Sequence, residues 1–179
     1  VSVTSKIVDT ILISFGIIDS KGFSVKILDA LQEFGYRNKV IVALGSKSLS
    51  TKLIKANIKK YTFNVDIVKD VDGLYNLMNK SDMVIGSGGV TLLERMALGK
   101  PSISIPVSSN QEQQIELSGL MGATFAVASD LHDINNGLEF ILNNYKGREK
   151  MSRTARYLVD GNGAKRTASV ITDTQINVW

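Results

Sequence analysis

The 179-residue chain is 44% hydrophobic and sets 21 Lys+Arg against 17 Asp+Glu, a net charge of +4; this supports one buried core and is too small a basic excess to indicate a nucleic-acid partner. With no cysteine there are no disulfides or thiolate metal sites, and the single histidine, His132, leaves no histidine cluster for zinc or iron, so no metal or cofactor is expected. Apolar runs such as residues 11–13 and 40–44 fall far short of the roughly 20 residues that span a bilayer, and no signal-peptide pattern opens the chain, which reads as soluble, cytoplasmic and without membrane insertion.

A short apolar run over residues 11–15 ends at Gly16 and predicts a strand; Val25, Ile27, Leu28 and Leu31 then fall on one face of a helix over 23–34. The alternation repeats: strand 39–44 before Gly45, helix 50–58, strand 65–68, helix 72–79, strand 83–85. Lys52, Lys55, Lys59 and Lys60 read as the solvated face of the second helix, and Leu74, Leu77 and Met78 as core. After residues 86–89 come a helix over 91–98 stopped by Gly99 and Pro101, strand 102–107, helix 111–121 closed by Gly122, strand 125–127, and helices over 134–145 and about 150–159. Residues 160–166, with two glycines, follow. Six strand–helix units predict an α/β fold with a Rossmann-like, doubly wound, mostly parallel six-stranded sheet, because each crossover helix returns the chain to the same edge. The expected organisation is a single domain over 1–179 with ragged ends at 1–6 and 174–179, and a start at Val1 without methionine suggests an excised fragment. In such a sheet ligands bind beyond the carboxyl ends of the strands, where the strand order reverses.

The most informative stretch runs Ile85-Gly86-Ser87-Gly88-Gly89-Val90-Thr91-Leu92-Leu93-Glu94, glycines between a strand and a helix. Backbone without Cβ lets a ligand come close, and the unsatisfied amides and macrodipole of a helix start favour an anion such as a diphosphate. A tight turn with no ligand fits the spacing too. Other phosphate motifs are missing: the first loop, Gly16 to Gly22, is not G-x-G-x-x-G, and neither Gly45-Ser46-Lys47-Ser48 nor Gly99-Lys100-Pro101 is a P-loop. No Ser/His/Asp arrangement is legible, and His132 reads as a surface or capping residue, so no catalytic residue is assigned. Glu112 and Glu116, one helical turn apart, read as helix surface.

Residues 82–89, Glu94, Ala97 to Gly99, Pro101, Pro106 and Asn110-Gln111-Glu112 together resemble the carboxyl-terminal half of a GT-B fold. The resemblance is nearest to the UDP-sugar hydrolase of pseudaminic acid biosynthesis and more distant to the murein glycosyltransferase. Ser14-Phe15-Gly16 and the segment Asp160 to Arg166 also look like that hydrolase family. The resemblance implies that UDP-sugar is the ligand. Gly16, Ser87, Gly88, Gly89, Val90 and Thr91 would lie at the nucleotide, Val71 would offer its backbone to the uracil, Glu94 would bind the ribose hydroxyls, and Asn110, Gln111 and Gln114 would lie near phosphate or sugar. Ile17 and Ile18 depart from the family, which has a second glycine and a small polar residue there. It also implies that the catalytic histidine and the other wall of the cleft belong to an amino-terminal domain as partner. The reading is therefore the UDP-sugar-binding domain of a hydrolase of nonulosonic (pseudaminic or sialic-like) acid or surface polysaccharide biosynthesis. The alternatives are a glycosyltransferase donor-binding domain, or a non-catalytic nucleotide-sugar module fused to a sugar nucleotidyltransferase.

Overall fold

The computed structural model describes residues 4–176, and the outer parts of both expected ragged ends, residues 1–3 and 177–179, lie outside the described residues. Six strands alternate with helices in the expected order: β1 (Thr10–Ser14), α1 (Phe23–Phe34), β2 (Lys39–Leu44), α2 (Leu49–Asn57), β3 (Asn64–Lys69), α3 (Tyr75–Lys80), β4 (Met83–Gly86), α4 (Val90–Leu98), β5 (Ser102–Ser104), α5 (Glu112–Leu120) and β6 (Phe125–Ala126). Three helices follow, α6 (Ile134–Asn143), α7 (Tyr145–Leu158) and α8 (Gly163–Ile176). All strand pairings are parallel, in the order β3-β2-β1-β4-β5-β6. The order reverses between β1 and β4, so the carboxyl ends of these two strands open a crevice.

Alternation along the central strands explains why the sheet is covered on both faces. Ile11 and Ile13 of β1, with Val40, Val42 and Leu44 of β2, join the larger core beneath α1 and α6, whereas Leu12, Ile41 and Ala43 point to the opposite face and meet Met78 and Val84. Leu74 and Leu77 pack against that second cluster, and a third cluster joins Leu92 and Met96 of α4 to Ile115 of α5 and Ala155 of α7. At the amino ends of the strands, the Asp82 carboxylate accepts the amides of Asp9 and Thr10 at 2.9 Å each, pinning β1 to β4 at the end opposite the crevice. The lysines of α2 and the turn after it are exposed, and Lys60 pairs with Asp29 at 2.7 Å.

Several boundaries move. The third helix begins at Tyr75 rather than 72, after Gly73. A 3-10 turn over Ser109–Gln111 precedes α5, and the last two strands are shorter than expected. The break between the late helices falls at Asn144, whose side chain accepts the Gly147 amide at 2.8 Å and caps α7, which therefore begins at Tyr145 rather than at about 150. Within the amino-terminal end, Arg148 donates to the carbonyls of Ser5 and Lys6 at 3.1 and 2.8 Å. None of the described helices is long and apolar enough to cross a membrane.

Candidate functional site

Two turns face each other across the crevice. The first follows β1. Gly16 enters it with φ 85°, and Ile17 and Ile18 stand 69% and 72% exposed while their carbonyls are tied to the β2 side, Ile17 by the Gly45 amide at 2.8 Å and Ile18 by the Ser48 hydroxyl at 2.7 Å. At its far end the buried Asp19 turns its carboxylate back onto the start of α1 and accepts the amides of Phe23 and Ser24 at 2.9 and 3.0 Å. The protein thus supplies its own anion to the first helix.

The second turn, between β4 and α4, is built differently. Gly86 passes so close to β1 that a Cβ there would lie 2.5 Å from the Ser14 carbonyl oxygen, a backbone atom that has no room to move. Gly89 precedes α4 with φ 76° and ψ −152°, a region open essentially to glycine alone. The amides of Gly88 and Gly89 are met by neutral side chains from the segment after β5: Gln111 Oε1 accepts from Gly88 at 3.2 Å and from Val107 at 3.1 Å, and Gln114 Oε1 accepts from Gly89 at 2.7 Å. Carboxamide oxygens therefore stand where an anion would stand at a helix start.

Between the turns lies a cleft of about 180 Å3 lined by Ser14, Gly16, Ile17, Ala43, Leu44, Asp70, Val71, Leu74, Ser87 and Thr91. Four of the expected residues, Gly16, Val71, Ser87 and Thr91, meet in this one cleft although they come from three separate stretches of the chain, the loops after β1 and β3 and the β4–α4 junction. Gly88 and Gly89 adjoin it through the turn and hold Gln111 and Gln114 beside them. Val90 is 72% exposed at the start of α4, Glu94 is exposed one turn further along, and Asn110 is exposed in the 3-10 turn; these three do not line the cleft. Ala43, Leu44 and Asp70 line it without having been singled out from sequence, and so do Ser14, noted only for the family resemblance, and Leu74, read only as core. Asp70, at φ 52°, accepts the Ser46 amide at 2.9 Å, a bond that holds its carboxyl below the usual range.

A larger cavity lies elsewhere. About 550 Å3 open between α5 and the β6 edge, bordered by Ile115, Leu120 and Phe125, with Glu112 and Glu116 on its rim. It is larger, but two carboxylates, Glu112 and Glu116, stand in its lining at the start of α5 and would repel an anion, so the smaller cleft at the strand-order reversal is the better candidate for an anionic ligand. His132 is on the surface, its side chain 83% exposed and 3.3 Å from Asp133. No group of three or more His, Asp or Glu among the described residues could hold a metal ion.

The sequence matches the glycosyltransferase family 28 C-terminal domain over residues 11–169. The chain belongs to this family. Among curated proteins it is similar to the spore coat polysaccharide biosynthesis protein SpsG of Bacillus subtilis, 24% identical over 177 residues, covering 91% of this chain and 50% of that protein. The fold is that of Acinetobacter baumannii MurG at a TM-score of 0.79 and 16% identity, covering 94% of this chain and 51% of MurG. UDP-GlcNAc 2-epimerase from Neisseria meningitidis, solved bound to UDP-GlcNAc, aligns with a TM-score of 0.69 at 18% identity over 95% of this chain and 45% of its own. This family 28 domain is thus one half of a GT-B fold, and the chain spans about half the length of the relatives it matches.

Proposed function

We propose that this domain binds the UDP moiety of a nucleotide sugar in the cleft between β1 and β4, with the diphosphate on the β4–α4 turn. The observation that carries this reading is the turn itself, a glycine-only backbone at a helix start whose amides are held only by exchangeable carboxamides. In this reading the uracil occupies the cleft near Gly16 and the Val71 backbone, the ribose leaves it past Thr91 toward the exposed side of α4, and Ser87 to Thr91 surround the phosphates. Glu94 lies about one turn, roughly 5.4 Å, beyond the start of α4, a fitting offset for the adjoining ribose. Its two carboxylate oxygens can accept from two neighbouring hydroxyls. Asn110, Gln111 and Gln114 then face the second phosphate or the sugar, and the two glutamines leave the glycine amides as the diphosphate arrives.

The activity proposed for the whole enzyme is hydrolysis of a UDP-sugar in nonulosonic acid or surface polysaccharide biosynthesis. It rests on the resemblance of residues 82–112 to the pseudaminic acid hydrolase and on the similarity to a spore coat polysaccharide protein. Transfer of the sugar to an acceptor is supported equally by the family to which the domain belongs. In both readings the other wall of the cleft supplies the base, because positioning water or an acceptor against the anomeric carbon takes groups from both sides.

Calorimetric titration of the 179-residue chain tests the binding reading. UDP binds and NAD does not, and UDP at about 100 times its Kd adds roughly 2.7 kcal/mol of stability, raising the melting temperature by roughly 5 to 10 °C. Glu94→Gln weakens UDP by about 1.5–3 kcal/mol, the scale of a hydrogen bond to a charged group, and weakens the 2′-deoxy nucleotide less. A flat UDP titration contradicts the proposal. Equal losses for the two nucleotides remove Glu94 from the ribose.

A further inference from the structure

Arg95 follows Glu94 in sequence but points the other way. It is 1% exposed and among the largest fully buried side chains of the protein. Its Nη2 donates to the Ser87 carbonyl at 2.8 Å and to the Ser104 hydroxyl at 3.0 Å, while its Nε is buried without a hydrogen-bond partner. A Cβ on Gly86 would come within 3.1 Å of Nη1, so the guanidinium lies directly beneath the glycine turn. No carboxylate forms a salt bridge with it among the described residues; the acidic group that acts on it is the exposed Glu94. Burial lowers its pKa to about 9, which still leaves it a cation at neutral pH. Buried charges are normally paired, because removing an ion from water without a counter-charge is costly.

The Ser87 carbonyl and the Gly88 amide belong to the same peptide unit, which is trans and planar, so the two point in opposite directions. Drawing the carbonyl down onto Arg95 therefore aims the Gly88 N–H outward, to where Gln111 Oε1 now sits. A cation bound to the carbonyl also polarises that peptide and makes its N–H a stronger donor. We infer that Arg95 is the positioning residue of the diphosphate site: from below the β4–α4 turn it orients the Gly88 amide and supplies the buried positive charge that an incoming diphosphate neutralises. This rests on the nucleotide reading above and adds a source of phosphate selectivity that needs no lysine or arginine in the cleft.

The test compares UDP with uridine, which lacks the phosphates, on the 179-residue wild type, Arg95→Met and Arg95→Lys, by calorimetry at low and high salt, with melting curves to establish folding. In Arg95→Met the affinity for UDP falls about tenfold or more, the scale of one charge interaction in a partly buried setting, while uridine changes by less than about twofold. The salt dependence of UDP binding falls with it. Arg95→Lys keeps the charge but not the planar fork of donors, so its loss for UDP is intermediate; it carries the same comparison should the methionine variant not fold. Equal losses for UDP and uridine assign Arg95 to support of the fold and overturn the inference, as does an unchanged UDP-to-uridine ratio in the folded variants. A wild type that binds neither compound overturns the nucleotide reading and this inference with it, whereas a wild type that binds UDP alongside variants with unchanged ratios overturns the inference alone.

Discussion

The β1–α1 turn and the β4–α4 turn stand at the same topological place, each at the carboxyl end of a central strand and each opening a helix, yet they solve the problem of unsatisfied helix-start amides in opposite ways. In the first, the Asp19 carboxylate, four and five residues from the amides it accepts, is a local, buried and charged cap. In the second, the acceptors are uncharged carboxamides brought from 23 and 25 residues away. A carboxylate so placed repels any phosphate, and a carboxamide can swing aside. Beneath the second turn lies a buried guanidinium, whereas the cations near the first, Lys21 and Lys26, lie over the Phe23 ring. The difference shows why only one of two similar turns suits an anion.

The comparison breaks most sharply at Gly89. Gly89→Asp places a carboxylate at the proposed diphosphate position and forces a non-glycine residue into a region that costs about 1–3 kcal/mol. UDP binding should be abolished in a chain that remains folded by circular dichroism; retained binding would place the nucleotide elsewhere. At the first turn the same kind of measurement should give the reverse outcome. Asp19→Ala should cost about 2 kcal/mol in urea unfolding, as expected for the loss of a charged cap with two bonds, and leave UDP affinity within about twofold, an ordinary allowance for a change outside the site. A large loss of affinity there would mean that α1 takes part. The smallest effect is expected at Gln114. Gln114→Ala should lose about 1 kcal/mol of stability, the scale of a neutral hydrogen bond. It should bind UDP at least as tightly, since a competing acceptor has gone, and should prefer UDP-sugar over UDP less than the wild type does. Weaker UDP binding would show that the carboxamide holds the phosphates rather than keeping their place.

Much of this architecture was legible in the sequence because each strand is a short apolar run between turn residues and each helix carries an apolar stripe. The glycine turn was legible for the same local reason, whereas Gly16, Val71, Ser87 and Thr91 were named through the family resemblance, and it is the strand order, not legible in any short stretch, that brings them into one cleft. The caps were not legible. Asp19 lies behind a loop in which Gly22 takes the N-cap position, so the usual cap residue just before the helix is missing. The glutamine-to-glycine bonds depend on the packing of α5 against the turn, which no short window contains. Arg95 is the instructive miss: a charged helix residue reads as surface, although its place three residues after Leu92 and just before Met96 sets it on the buried stripe of α4. Asp70 and Asn144 were passed over because each acts through a bond to a backbone amide.

The central claim is that the anion binds at the β4–α4 turn and displaces carboxamides, and amide-resolved NMR of the 15N-labelled chain titrated with UDP tests it directly. The account predicts that the Gly88 and Gly89 amide resonances move strongly, that the side-chain amides of Gln111 and Gln114 move with them, and that the Phe23 and Ser24 amides, held by Asp19, stay in place. Saturable shifts centred on Phe23 and Ser24, with Gly88 and Gly89 unmoved, would contradict it.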